Sequence, residues 1–188
     1  TPGLKVVVPS EPADAKGLLK AAIRDDDPVI FFQHKRLFRQ TGPVPDDECL
    51  IPLGKGAIKR PGSDITLLTY SRMTHECMEA AAQLAQRGIA AEVIDLRTLK
   101  PLDFDLIAQS IRKTRRAVMV HEACLTGGFG AEVASRIGEE LFESLMAPVV
   151  RVGAKDVPMP FSPVMEQYVL PQVADILAAV DRVFMRSR

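Results

Sequence analysis

The sequence predicts an α/β protein, a mostly parallel doubly wound sheet preceded by a β-α-β piece of a second α/β domain. Three observations carry that expectation. Short β-branched apolar runs alternate with segments of helical period along most of the chain. Their spacing leaves room for helical crossovers, which parallel strands need and tight turns cannot supply. A stretch rich in proline and glycine, residues 39–63, breaks the alternation once.

Taken in order, GLKVVVPS is a buried strand ended by Pro9 and Ser10. Ser10 or Glu11 opens a helix over 12–24, with Ala13, Leu18, Leu19, Ala22 and Ile23 as its apolar face. Pro28 bars its continuation, and PVIFFQ, 28–33, is the next strand. Residues 1–40 therefore read as the tail of one domain and 41–62 as a linker, with a short hairpin through LIPLGKGAIKR. Residues 63–188 read as a second domain. Its strands are 64–70, 91–96, 116–122 and 147–153; its helices are 73–88, 103–113, 130–145 and 171–186.

The composition excludes more than it selects. Lys plus Arg (24) balances Asp plus Glu (24), so no net field favours nucleic acid or a membrane surface. No apolar run reaches the roughly 20 residues of a membrane span, and TPGLKVVVPS does not read as a signal peptide. The cysteines, Cys49, Cys77 and Cys124, are odd in number and far apart, without a C-x-x-C pair. A reducing cytoplasm is the expected setting.

Ligands of open parallel sheets bind beyond the carboxyl ends of the strands. The polar residues there are Tyr70, Ser71, Arg72, Asp95, Arg97, His121 and Glu122, a candidate acid/base crevice or a set of loop caps and interface pairs. TGGFG, with Gly127, Gly128 and Gly130, lies between a strand and a helix, where backbone N–H groups can cradle a phosphate. It lacks a P-loop lysine, and the competing reading is a turn that lets the helix pack close. Cys124 stands three residues after His121, a spacing that also suits a plain loop residue. His34 and His75 stand alone, without metal-ligand spacing.

RDDDP, Arg24 to Pro28, sets three carboxylates at the negative end of a helix. The carbonyls of Ala22 and Ile23 lack helical partners there. With the carboxylates of Asp25 and Asp27 they make a possible oxygen cage for a hard cation. Three solvated aspartates are the alternative.

The stretches PGLKVVVPSEPADAKGLLKAAIRDDDPVIFFQHKRLF, IPLGKGAIKRPGSDITLLTYSRMTHECMEAA, VIDLRTLKPLD, HEACLTGGFGAEVA and APVVRVGAKDVPMPFSP resemble one family along the whole chain. It is the beta subunit of the thiamine-dependent decarboxylating component of 2-oxoacid dehydrogenase complexes, with pyruvate dehydrogenase as its nearest member. The resemblance implies a transketolase-like C-terminal domain over 63–188 and the end of a pyrimidine-binding domain over 1–40. It implies oxidative decarboxylation of pyruvate with acyl transfer to lipoyl groups; branched-chain 2-oxoacids or acetoin are the alternatives. Thiamine diphosphate and magnesium would lie mostly outside this chain. So would the family's cofactor-contacting glutamate and catalytic histidine, so no catalytic or cofactor-binding residue is expected here.

The resemblance also implies potassium at Ala22, Ile23, Asp25 and Asp27. The implied partners are an alpha subunit, a second beta subunit in an α2β2 assembly, and a dihydrolipoyl acyltransferase core. Met146 stands where relatives often carry an acid for that core, so a charged anchor is not expected there. Cys124 stands where relatives usually have proline. A module that only supports assembly, without turnover, is the competing reading.

Overall fold

The computed structural model describes residues 2–187. Three elements form the N-terminal unit: β1 (Lys5–Val7), α1 (Pro12–Ile23) and β2 (Val29–Phe31). β1 and β2 pair in parallel, Lys5 opposite Val29 and Val7 opposite Phe31, as a crossover helix requires. Pro12 starts α1, where its missing N–H is no loss.

The buried side of α1 differs from the expected one. Leu18 is buried, but Leu19 is 40% and Ile23 75% exposed, while Asp14 and Gly17 turn inward. The reason is local contact. Ile51 and Cys49 of the following stretch pack on Gly17, where a Cβ would come within 2.7 Å of Ile51 Cγ1. Asp14 turns in because two cations meet it.

The second unit has five strands in the order β3-β5-β4-β7-β8: β3 (Ala57–Arg60), β4 (Ile65–Thr69), β5 (Ala91–Asp95), β7 (Ala117–Cys124) and β8 (Val150–Ala154). All neighbours run parallel except β3, which pairs antiparallel with β5. β3 corrects the expected hairpin. LIPLGKGAIKR supplies one strand, not two, and that strand covers the otherwise open edge of β5. Gly54, at φ +85°, turns the chain just before it.

Helices α2 (Met73–Gln86) and α6 (Val173–Arg186) cover one face of this sheet; α3 (Phe104–Thr114) and α4 (Phe129–Glu140) cover the other. Alternate strand residues feed the two cores, as the period of two demands. Leu67, Val93, Val118 and Val120 pack with α2 and α6, whereas Leu68, Ile94 and Met119 pack with α3 and α4. Under α3 the buried hydroxyls of Thr66, Ser110 and Thr114 satisfy one another at 2.6 and 2.7 Å.

Two elements escaped the sequence pattern. β6 (Thr98–Lys100) pairs antiparallel with β1 and completes a three-stranded sheet, β2-β1-β6, across the two units. α5 (Pro163–Val169) precedes α6, which begins only at Val173, behind a capping box between Gln172 and Asp175. α4 ends at Glu140, short of the expected 145, and a 3₁₀ turn, Phe142–Ser144, follows.

Candidate functional site

The carboxyl ends of β1, β2, β4, β5 and β7 meet where the two units join. Asp95 ends β5 and is fully buried. It accepts the Ser10 hydroxyl from the N-terminal unit and the Arg97 backbone N–H at 3.0 Å. Burial pushes its carboxyl up to about 7, against the lowering effect of those hydrogen bonds.

Arg97 spans the joint. Its guanidinium reaches Asp14 at 3.0 Å and donates to the carbonyls of Lys55 and Gly56 at 3.1 and 2.8 Å, while its own carbonyl accepts from Val8 at 2.8 Å. It holds φ +54°, a left-handed backbone that a non-glycine residue keeps only when its surroundings hold it there. Lys59 completes the cluster, 2.7 Å from Asp14 and 2.8 Å from Glu11.

A second link runs through Glu122 on β7. One oxygen meets Arg72 at 2.8 Å and the other meets His34 Nε2 at 2.7 Å; Arg72 also holds Glu76 at 2.7 Å. Burial alone would raise the Glu122 carboxyl, but His34 and Arg72 outweigh it and hold the group below the usual carboxylate range. His34 Nδ1 accepts the Arg36 N–H at 3.2 Å, so its Nε2 carries the proton toward Glu122. His75 Nε2 donates to the Ser10 carbonyl at 2.9 Å. His34 and His75, which stood alone in the sequence, are thus both joint residues.

The candidate acid/base residues do not converge. Asp95, Arg72 and Glu122 turn toward the N-terminal unit and α2, whereas His121 turns to the opposite face of the sheet. There its ring lies under Gly128 and Gly130 of the α4 entrance and stacks on Tyr70 at 6.3 Å between centroids. A Cβ at Gly130 would collide with the ring, and one at Gly128 with the ring and the Cys124 carbonyl. Gly128 and Gly130 therefore serve close packing. Gly127 makes the turn itself, at φ +71°. His121 is fully buried without a hydrogen-bond partner among the described residues, and burial lowers its pKa, so the ring is neutral. Tyr70, pushed up to about 12 by burial, is neutral too. The Cys124 thiol faces the Lys155 carbonyl at 3.5 Å, away from any imidazole contact the structure records. Ser71 takes φ +55° in the turn before α2.

At RDDDP the Lys5 ammonium lies 2.7 Å from both Asp25 oxygens and 3.1 Å from Asp27, and Asp27 N–H also donates to Asp25 at 2.9 Å. Hydrogen bonds from Lys5 and the Asp27 backbone hold the Asp25 carboxyl below its usual range. The two carboxylates expected to hold potassium thus already share one monovalent cation. The Ala22 carbonyl accepts from Asp25 N–H at 3.4 Å. Among the described residues no cluster of three or more His, Cys, Asp or Glu side chains forms a metal cage. Sequence reasoning missed Lys5, Ser10, Asp14 and Lys59. Asp14 alone carried a signal, as an acid one turn before the buried Leu18.

Met146 lines a groove with Phe142, Glu143, Pro148 and Met185, in which Phe142 and Met185 are 75% and 84% exposed. A cleft of about 220 Å³ runs between Ser10, His34 and Phe38. It is smaller than the roughly 300–1,000 Å³ of most small-molecule sites.

A helix-covered parallel sheet, joined by a polar seam to the end of a second parallel α/β unit, defines the class. The chain belongs to the transketolase C-terminal domain family, whose model covers residues 54–176, and a transketolase pyrimidine-binding domain model matches residues 1–41. Among curated relatives, it is 48% identical over 187 residues to the pyruvate dehydrogenase E1 component subunit beta of Porphyra purpurea, covering 100% of this chain and 56% of that one. It is 49% identical over 170 residues to the acetoin:2,6-dichlorophenolindophenol oxidoreductase subunit beta of Bacillus subtilis (strain 168), covering 90% and 50%. It is 46% identical over 181 residues to the 2-oxoisovalerate dehydrogenase subunit beta of the same organism, covering 95% and 55%. A solved split gene transketolase, described as an inactive beta4 tetramer, matches with TM-score 0.81 and 31% identity, covering 100% of this chain and 59% of that one. The chain spans about half the length of the curated relatives it matches.

Proposed function

We propose that this chain is the C-terminal, assembly-bearing part of the beta subunit of a thiamine-dependent 2-oxoacid dehydrogenase, with pyruvate as its substrate. The match to beta subunits over the whole chain carries the reading. The site supports it from the other side, because Arg72, Asp95, Arg97 and Glu122 at the strand ends are engaged where the two units join. In the complete enzyme the thiamine supplies the electron sink for decarboxylation. This chain's residues hold the pyrimidine-binding unit against the C-terminal sheet. The partners are an alpha subunit carrying most of the diphosphate and magnesium contacts, a second beta subunit, and an acyltransferase core. The exposed groove at Met146 is the place we assign to the core, held by apolar contact rather than by an acid. Three unpaired cysteines suit a reducing, cytoplasmic setting. Among the described residues no helix is long and apolar enough to cross a membrane.

The test is reconstitution. The whole beta subunit with its alpha partner, given thiamine diphosphate and magnesium, should reduce a lipoyl acceptor with pyruvate faster than with a branched-chain 2-oxoacid or acetoin. A preference for either alternative would move the enzyme within its family; activity with none of them would remove the reading.

We also propose a potassium site at the RDDDP turn. The carbonyls of Ala22 and Ile23 form its fixed part, and the Lys5 ammonium competes for Asp25 and Asp27. The observation in favour is that both carboxylates already gather on one monovalent cation. The melting temperature of Lys5→Met should rise in potassium chloride over choline chloride at equal ionic strength, with a smaller rise in the wild type. Equal curves in both salts for both proteins would contradict the site.

A further inference from the structure

The joint between the two units contains one carboxyl without a cation of its own. Asp95 is fully buried at the end of β5, bonded to Ser10 of the N-terminal unit and to the Arg97 backbone. The charged groups that face it are already engaged. Lys59 on β3 is held by Glu11 and Asp14 of the α1 entrance at 2.8 and 2.7 Å. The Arg97 guanidinium reaches across to Asp14 at 3.0 Å. From α2 come Cys77, whose buried thiol is pushed up to about 12 and is therefore neutral, and His75, which donates to the Ser10 carbonyl at 2.9 Å.

We propose that Asp95 and Ser10 form a pH-responsive latch between the two units, tight when Asp95 is protonated and loosened when it ionises. An ionised Asp95 is a second buried carboxylate beside Asp14, and two cations already serve Asp14 and Glu11. A protonated Asp95 keeps its acceptor for the Ser10 hydroxyl and loses the desolvation cost of charge. Burial places its titration near pH 7, above the ordinary value of 3.8, with Asp14 adding to the rise. Undocking the N-terminal unit bares Asp95 to water and restores the ordinary value. A folded pKa above the unfolded one stabilises fully below the unfolded value, and that contribution is lost as pH rises through the folded value. The latch therefore loosens from mildly acid toward mildly alkaline conditions.

Hydrogen exchange on the full chain, corrected for the pH dependence of intrinsic exchange, reads this directly. Between about pH 5.5 and pH 8.5 the opening constant of the β1 and β2 amides should rise about tenfold or more. The β4 amides of Leu67 and Leu68 should change far less. Asp95→Asn, which cannot ionise, should abolish the rise at β1 and β2. His34→Gln, which removes the His34–Glu122 link between the units, should leave it in place. A wild-type slope in Asp95→Asn would overturn the latch, and so would an equal rise at β4. If Asp95→Asn does not fold, the wild-type Asp95 carboxyl can be followed by NMR. Titration near pH 7 supports the latch and titration near 4 overturns it.

Discussion

Gly130 has no room for a Cβ because the His121 ring lies where it would go. Such a clash forces either the ring or the α4 backbone to shift, and overpacking of this kind costs typically 1–3 kcal/mol. Gly130→Ala should lower stability by about 2 kcal/mol in urea denaturation. Adding His121→Ala should recover part of that loss, because the two changes act on one contact. Strictly additive losses would show that the ring is not the obstacle. At this scale the sequence is a poor guide. HEACLTGGFG left a phosphate loop and a close-packing turn both open, and the contacts at Gly128 and Gly130 speak for the turn. Asp14 was not singled out at all. Its partners Arg97 and Lys59 lie 83 and 45 residues away, beyond any local pattern.

The strands and helices of the C-terminal sheet were legible because each is buried on a face that its own period announces. β4 shows this most plainly: ITLLT is buried throughout, with Leu67 and Leu68 feeding opposite cores. Leu68→Ala removes contacts with the α3 and α4 side and should cost about 3 kcal/mol, without changing the denaturant slope. A loss below about 1 kcal/mol would mean that this core tolerates or refills the space. β6 was invisible because three residues carry too little pattern, and because its partner β1 belongs to the other unit. The face of α1 was misjudged for a related reason. Its apolar residues Leu19 and Ile23 stay exposed, while the following stretch and the joint set which side is buried.

The whole molecule is two α/β pieces held by a three-stranded sheet and a polar seam. The seam's pH response has two limbs. Asp95 governs the neutral one. Glu122, held below the ordinary carboxylate range by His34 and Arg72, governs the acid one. A depressed carboxyl contributes fully above its unfolded pKa and loses that contribution as pH falls through the folded value. Glu122→Gln should therefore flatten the fall in melting temperature below about pH 5 while lowering stability at neutral pH; an unchanged acid limb would exclude Glu122. Two units, a parallel sheet and a family were readable in the sequence. The seam was readable only in part: Arg72, Asp95, Arg97 and Glu122 stood out at strand ends, but their partners come from other segments and each looks ordinary alone.

Under the proposed function these residues join and assemble, and the reacting groups reside elsewhere in the enzyme. Carbon dioxide release from labelled pyruvate tests it most directly, with the isolated chain in saturating thiamine diphosphate and magnesium. The account predicts no release above the cofactor-only control. Sustained release proportional to the amount of chain, and lost on unfolding, would contradict it.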